Sequence, residues 1–71
     1  MTALHERLAA LRRERGYSLR ELQRCIEERT GERVAISYLS KLERGQATPT
    51  INTLCRIAAG YGVSPKALLG E

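Results

Sequence analysis

The sequence has no aspartate, one histidine and only two cysteines, which leaves little for catalysis or metal binding. Zinc sites need four ligands at short paired spacings, and His5 with the widely separated Cys25 and Cys55 does not supply them. We interpret both cysteines as small, reduced, partly buried apolar side chains, with a redox switch left open. These shortages disfavour an enzyme and predict no metal and no cofactor.

Long apolar runs are also missing. No stretch approaches the roughly 18 residues of a membrane span, and the N-terminus lacks the apolar segment of a signal peptide. A chain of 71 residues has room for one small domain, and with no Phe or Trp its core must be built from Leu, Ile, Val and Ala. We therefore expect a single cytoplasmic domain without membrane contact.

Positive charge is in excess. Twelve Lys and Arg face eight Glu, for a formal net charge of +4. This imbalance on a small domain favours a polyanionic partner, nucleic acid before membrane.

Two helices are signalled in the first 30 residues. Thr2 is a candidate N-cap, and Leu4, Leu8 and Leu11 then recur at helical spacing up to Gly16. Ser18 and Glu21 form a capping-box pattern that opens a second helix. Its apolar stripe is Leu19, Leu22 and Ile26.

A third helix is predicted over residues 35–44, after a polar turn at 31–34. Its inward residues are Ala35, Leu39 and Leu42, and a small, basic face consists of Ser37, Ser40, Lys41 and Arg44. Gly45 is expected to end it.

Two more helices follow. Thr50 is the predicted N-cap of the fourth helix, whose expected buried stripe is Ile51, Leu54, Ile57, Ala58 and Tyr61. Ser64 and Pro65 open a short helix over residues 66–69, closed by Gly70. The expected fold is all-α, a compact bundle of five short helices.

Three blocks carry a family resemblance. LRRERGYS at 11–18, YLSKLERG at 38–45, and PTINTL at 49–54 with YGVS at 61–64 resemble the lambda-repressor-like, Cro-type helix-turn-helix family. The resemblance covers nearly the whole chain and implies one double-stranded-DNA-binding domain over residues 1–71. It implies a transcriptional regulator, a repressor that binds a palindromic operator as a homodimer, with residues 35–44 as the recognition helix.

The third helix suits a major groove, because short hydroxyls let its backbone approach and a lysine can reach guanine. We expect base contacts from Ile36, Ser37, Ser40 and Lys41. The alternatives are that Ile36 packs on the preceding turn, that Ser37 serves the helix backbone and that Lys41 is merely solvated. The expected phosphate contacts are Arg20, Tyr38, Arg44, Gln46, Thr48, Thr50 and Asn52. The alternatives are that Arg20 and Arg44 are ordinary solvated charges and that Tyr38 packs at the edge of the helix. The resemblance also implies an ion pair between Arg12 and Glu43.

The chain departs from the family in one segment. Leu22 and Leu39 are 39 − 22 = 17 positions apart, about six more than the short helix-turn-helix of the family. The extra length falls at residues 27–33, Gln23 stands where a small Ala is customary, and Ala35 replaces a hydroxyl N-cap. This extension is either a tolerated exposed segment, a source of phosphate contacts through Arg29 or Arg33, or a surface for a protein partner.

Two functions compete at this stage. The first is the dimeric regulator, with Leu68, Leu69 and the last helix as its expected dimer contact. The second is an antitoxin-like or adaptor module that keeps the fold but binds protein. Salt dependence separates them, because phosphate contacts make DNA affinity fall steeply with salt.

Overall fold

Five helices make up the fold in the computed structural model, which describes residues 3–69. They are α1 (Leu4–Arg15), α2 (Leu19–Thr30), α3 (Ile36–Glu43), α4 (Ile51–Tyr61) and α5 (Pro65–Leu68). Within the described range there is no strand, and the all-α prediction is confirmed. The predicted roles of Thr2 and Gly70 lie outside the described residues.

The core is built from the helical stripes and one loop residue. Its buried apolar side chains are Leu8, Leu22, Ile26, Val34, Leu39, Leu42, Ile57, Ala58, Tyr61 and Leu68. The main packing is between α2 and α4. They meet closely at Gly60, where an added Cβ would lie 2.7 Å from Cγ1 of Ile26. The missing side chain of Gly60 thus lets two core helices touch.

Local capping signals set several helix ends. The Ser18 hydroxyl accepts a hydrogen bond from the Glu21 amide, and the Glu21 carboxylate accepts one from the Ser18 amide, both at 3.1 Å. These bonds lower the pKa of Glu21 below its ordinary value, with the backbone bond from Ser18 as the main cause. Thr50 caps α4 by accepting from the Thr53 amide at 3.2 Å.

Three burial predictions are wrong. Ala35 is exposed because it is the extended N-cap of α3, so helical spacing does not apply to it, and the preceding Val34 enters the core instead. Ile51 is 79% exposed because it is the first residue of α4, far from the close approach at Gly60. Cys55 is exposed because it lies beside the buried stripe of α4, whereas Cys25 is half-buried.

A further correction concerns Leu68, which we expected to contribute to the dimer contact. Leu68 is buried in the core of the protomer, since α5 folds back onto α4 and α1. Its side chain is therefore not available to a second copy. Leu69, the residue after α5, is 52% exposed.

Among residues 3–69, none of the helices has both the length and the apolar character that a membrane span requires.

Candidate nucleic-acid interface

The third helix has one buried and one exposed face. Leu39 and Leu42 anchor it in the core, packed among α1 and α2. Ser37, Lys41 and Arg44 are exposed, and Ser40 is half-exposed. The exposed face therefore presents two short hydroxyls and two cations.

A tight turn ends α3. Gly45 takes a φ of +73°, a left-handed conformation that favours glycine, and the Gln46 amide donates to the Lys41 carbonyl at 2.9 Å. The His5 ring packs so closely on Gly45 that an added Cβ would lie 3.1 Å from its Nδ1 atom. The turn is thus held against α1, and the chain leads directly to the expected phosphate contacts.

Most of those expected contacts are available to a ligand. Gln46, Thr48 and Asn52 are exposed along the turn and the start of α4. Thr50 is exposed too, but its hydroxyl is already engaged with Thr53, whose own hydroxyl lies 3.0 Å away. Ile51, which the sequence pattern placed in the core, stands among these polar residues.

The remaining predicted residues lie on either side of α3. Arg20 is exposed in the first turn of α2. Tyr38 is half-buried and packs against the core. The Arg44 Nε donates to the Ser40 carbonyl at 3.4 Å, which holds its guanidinium beside the helix end.

Ile36 faces both inward and outward. It is half-buried and lines a groove together with residues of α2 and Arg33. This placement supports packing against the preceding turn, and it leaves part of the side chain exposed at the start of α3.

The structure brings Arg12 and Glu43 together. The Arg12 Nε lies 2.8 Å from Glu43 Oε2 and 3.0 Å from Oε1, and its Nη1 donates to the Tyr17 carbonyl at 2.9 Å. Only 10% of the Glu43 side chain is exposed. The hydrogen bond to Glu43 raises the pKa of Arg12 above its ordinary value, with desolvation opposing it. This pair joins the end of α1 to the end of α3.

Gln23 holds the segment that enters α3, a role that its sequence position did not reveal. Its Nε2 donates to the Val34 carbonyl at 2.9 Å. A small residue there could not make this bond. The long side chain therefore compensates for the longer turn by fixing it to α2.

Hydrogen bonds and an ion pair hold the extension at residues 27–33 against the rest of the domain. The Thr30 hydroxyl donates to the Ile26 carbonyl at 2.7 Å, and Gly31 caps the end of α2. Glu32 forms an ion pair with Arg56 of α4. Arg29 donates to the Ala59 carbonyl at 3.4 Å. Two side chains of the extension thus bind α4.

A third helix with one buried and one exposed face, the turn that joins it to α2 and the supporting helices on both sides together define a small helix-turn-helix domain. A family model described as a helix-turn-helix domain matches residues 5–70. The chain belongs to the helix-turn-helix family, in the lambda-repressor-like, Cro-type form that its motifs resemble.

Several curated relatives are similar over most of the chain. The HTH-type transcriptional regulator DdrOP3 of Deinococcus deserti is 38% identical over 66 residues, which is 93% of this chain and 46% of the relative. SinR of Bacillus subtilis, an HTH-type transcriptional regulator, is 43% identical over 67 residues, 93% of this chain and 55% of SinR. An uncharacterized HTH-type transcriptional regulator, y4dJ of Sinorhizobium fredii, is 45% identical over 56 residues, 79% of this chain and 65% of the relative. The chain thus spans about half the length of the first two relatives.

Proposed function

We propose that this protein is a DNA-binding transcriptional regulator that reads duplex DNA with the exposed face of α3. The observation that carries the proposal is the combination on that face of Ser37, Ser40 and Lys41, opposite the buried Leu39 and Leu42. Short hydroxyls allow a helix backbone to approach base edges, and a lysine can donate to guanine O6 or N7. The relatives named as transcriptional regulators support the same function.

Phosphate contacts complete the proposed interface. Arg44, Gln46, Thr48 and Asn52 lie at the end of α3 and in the turn beyond, and Arg20 lies at the start of α2. Contacts of this kind position a domain on the duplex without reading its sequence. We give Tyr38 and Thr50 secondary parts, because the first packs on the core and the second caps α4.

The regulator is proposed to act as a repressor and to bind a palindromic operator as a dimer. One recognition helix covers few base pairs, and two copies related by a two-fold axis read two half-sites. With Leu68 in the core, we place the second copy at a groove of about 330 Å³ between α1 and α5. Its lining includes Leu11, Val63 and Ala67, with Arg7 and Glu14 in the same rim.

Charge favours a second copy in this groove. Arg7 and Glu14 are seven positions apart on α1, about two helical turns, so they lie on one face. When two such faces pack antiparallel, Arg7 of one protomer meets the partner's Glu14, and the reverse pair forms by symmetry.

The experiment is a selection from a random-sequence duplex pool at about 100 mM salt, which suppresses much non-specific attraction. We expect a palindromic motif for the wild type and a weakened or relaxed motif for Lys41→Ala and Ser37→Ala. Lys66→Ala, which removes an exposed lysine of α5, is the matched control and should leave the motif unchanged. Absence of enrichment for the wild type would contradict sequence reading and favour the protein-binding adaptor function.

A further inference from the structure

A basic groove lies between α2 and the start of α3. It is lined by Arg20, Gln23, Arg24, Glu27, Arg33 and Ile36, and its volume is about 360 Å³. Three guanidinium groups face one carboxylate there, so the lining is net positive. Because Ile36 is also the first residue of α3, the groove adjoins the face proposed to read bases.

The two arginines of the extension, Arg29 and Arg33, lie at different places in the structure. The Arg29 guanidinium donates to the Ala59 carbonyl and lies against Gly62, where an added Cβ would be 2.9 Å from its Nη1. It therefore belongs to the end of α4. Arg33 lines the groove, with its Nε 3.3 Å from Glu27 Oε2. Only Arg33 is placed beside α3.

The ion pair between Arg33 and Glu27 is weak enough for another acceptor to replace Glu27. Both side chains are exposed, and exposed ion pairs are weak because water and salt screen them. A phosphate group offers Arg33 an equivalent set of oxygen acceptors, which a guanidinium can bind in bidentate fashion. In the free protein, Arg33 therefore forms only a weak ion pair with Glu27.

We propose that this groove binds a DNA phosphate beside the base pairs that α3 reads, with Arg33 and Arg24 as its ligands and Glu27 as the group that the phosphate displaces. The inference rests on the proposed function and goes beyond it, because it gives the extension a role in widening the DNA contact. It favours DNA over a protein partner for this surface, since a duplex backbone supplies a row of phosphates next to α3.

The first test measures how the affinity for a mixed-sequence duplex of about 30 base pairs changes between about 50 and 200 mM salt, where each phosphate contact contributes nearly one unit of log–log slope. Arg33→Ala should lower the slope by about one unit, so that its affinity falls about threefold to fourfold less over this range than that of the wild type. Arg24→Ala should also lower the slope. Arg29→Ala is the matched control, because it removes the same charge from the same extension and should reduce the slope less.

A second test uses the carboxylate. Glu27→Gln frees Arg33 and should bind the duplex about twofold to threefold more tightly than Glu28→Gln, which makes the same change of charge one residue away from the groove lining. Circular dichroism confirms that each exposed-site variant is folded.

The outcomes distinguish the two proposals. Equal slopes for Arg33→Ala and Arg29→Ala, or equal affinities for Glu27→Gln and Glu28→Gln, would overturn the phosphate site while leaving DNA binding in place. A wild type without salt-dependent duplex binding would overturn the proposed function, and the phosphate site with it.

Discussion

Glu43 places a carboxylate at the end of a helix whose exposed face is otherwise neutral or basic. Left free, that charge would repel a phosphate backbone. Arg12 neutralises it from α1 with a bifurcated hydrogen bond from its single Nε–H group to both carboxylate oxygens, and its Nη1 donates to the Tyr17 carbonyl. One side chain thus links the last turn of α1, the start of the next loop and the end of α3.

Arg12→Ala should destabilise the fold by about 1–3 kcal/mol, because it leaves the nearly buried Glu43 carboxylate and the Tyr17 carbonyl without this donor. The free energy of unfolding, measured by urea titration at neutral pH, checks this expectation. Arg13→Ala is the control, since Arg13 is exposed in the same turn and its loss should cost less than about 0.5 kcal/mol. Equal stabilities of the two variants would show that the pair does not support the fold.

At the scale of elements, the packing of α2 on α4 depends on a glycine. Glycine in a helix is usually less favourable than alanine by about 1 kcal/mol. At Gly60, however, an added Cβ would lie 2.7 Å from Ile26 Cγ1 and 3.4 Å from the Ile26 backbone nitrogen. Ile26 is fully buried, so its side chain cannot swing out into solvent without leaving the core.

Gly60→Ala should therefore destabilise the protein. Overpacking the core costs about 1–3 kcal/mol, which exceeds the stabilisation gained by replacing glycine with alanine in a helix. A thermal melt or urea titration measures the sign directly. In an Ile26→Ala background the clash partner is gone, so the same substitution should be neutral or stabilising. Destabilisation of equal size in both backgrounds would mean that the close approach is not its cause.

The contribution of the α2 capping box to the stability of the fold depends on pH. The folded-state pKa of Glu21 is lower than the ordinary value of 4.5, so the carboxylate stabilises the fold above that value and loses its effect as the pH falls through the lowered pKa. Glu21→Gln should thus be less stable than the wild type at neutral pH, and the difference should shrink in acid, where the protonated Glu is also neutral. Urea midpoints at neutral pH and near pH 3 measure both differences.

Glu28→Gln provides the comparison for this pH effect, because Glu28 is an exposed residue of the same helix away from the cap. Its difference from the wild type should change less with pH. If the difference in stability between Glu21→Gln and the wild type stays constant into acid, the capping box is not the source of the pH dependence.

At the scale of the whole molecule, the proposed dimer makes a prediction about charge. Glu14→Arg places like charges across the two-fold axis and should weaken self-association by about tenfold or more, since like-charge juxtaposition costs several kcal/mol. The double variant Arg7→Glu/Glu14→Arg restores opposite charges and should recover the dimer. Sedimentation equilibrium measures the dissociation constants. If both variants associate as the wild type does, the interface lies elsewhere.

The five helices of the described range, their approximate bounds and several of their caps could be predicted from the sequence. Ser18 with Glu21, Thr50 and Gly45 act through bonds to residues three to five positions away, so their effect is readable locally. The pairing of Arg12 with Glu43 was predicted only from the family resemblance. The two residues are 31 positions apart, so no local sequence pattern indicates their contact.

Which side chains face the solvent at the ends of helices and in loops could not be predicted, because it depends on how the helices pack. Ile51 and Ala35 sit at helix starts, where periodicity no longer reports burial, and Val34 enters the core from a loop that looked polar. Only the packing of the extension placed Arg29 on α4 and Arg33 beside α3. The reason is physical: capping and periodicity are set within a few residues, whereas burial depends on which distant elements pack together.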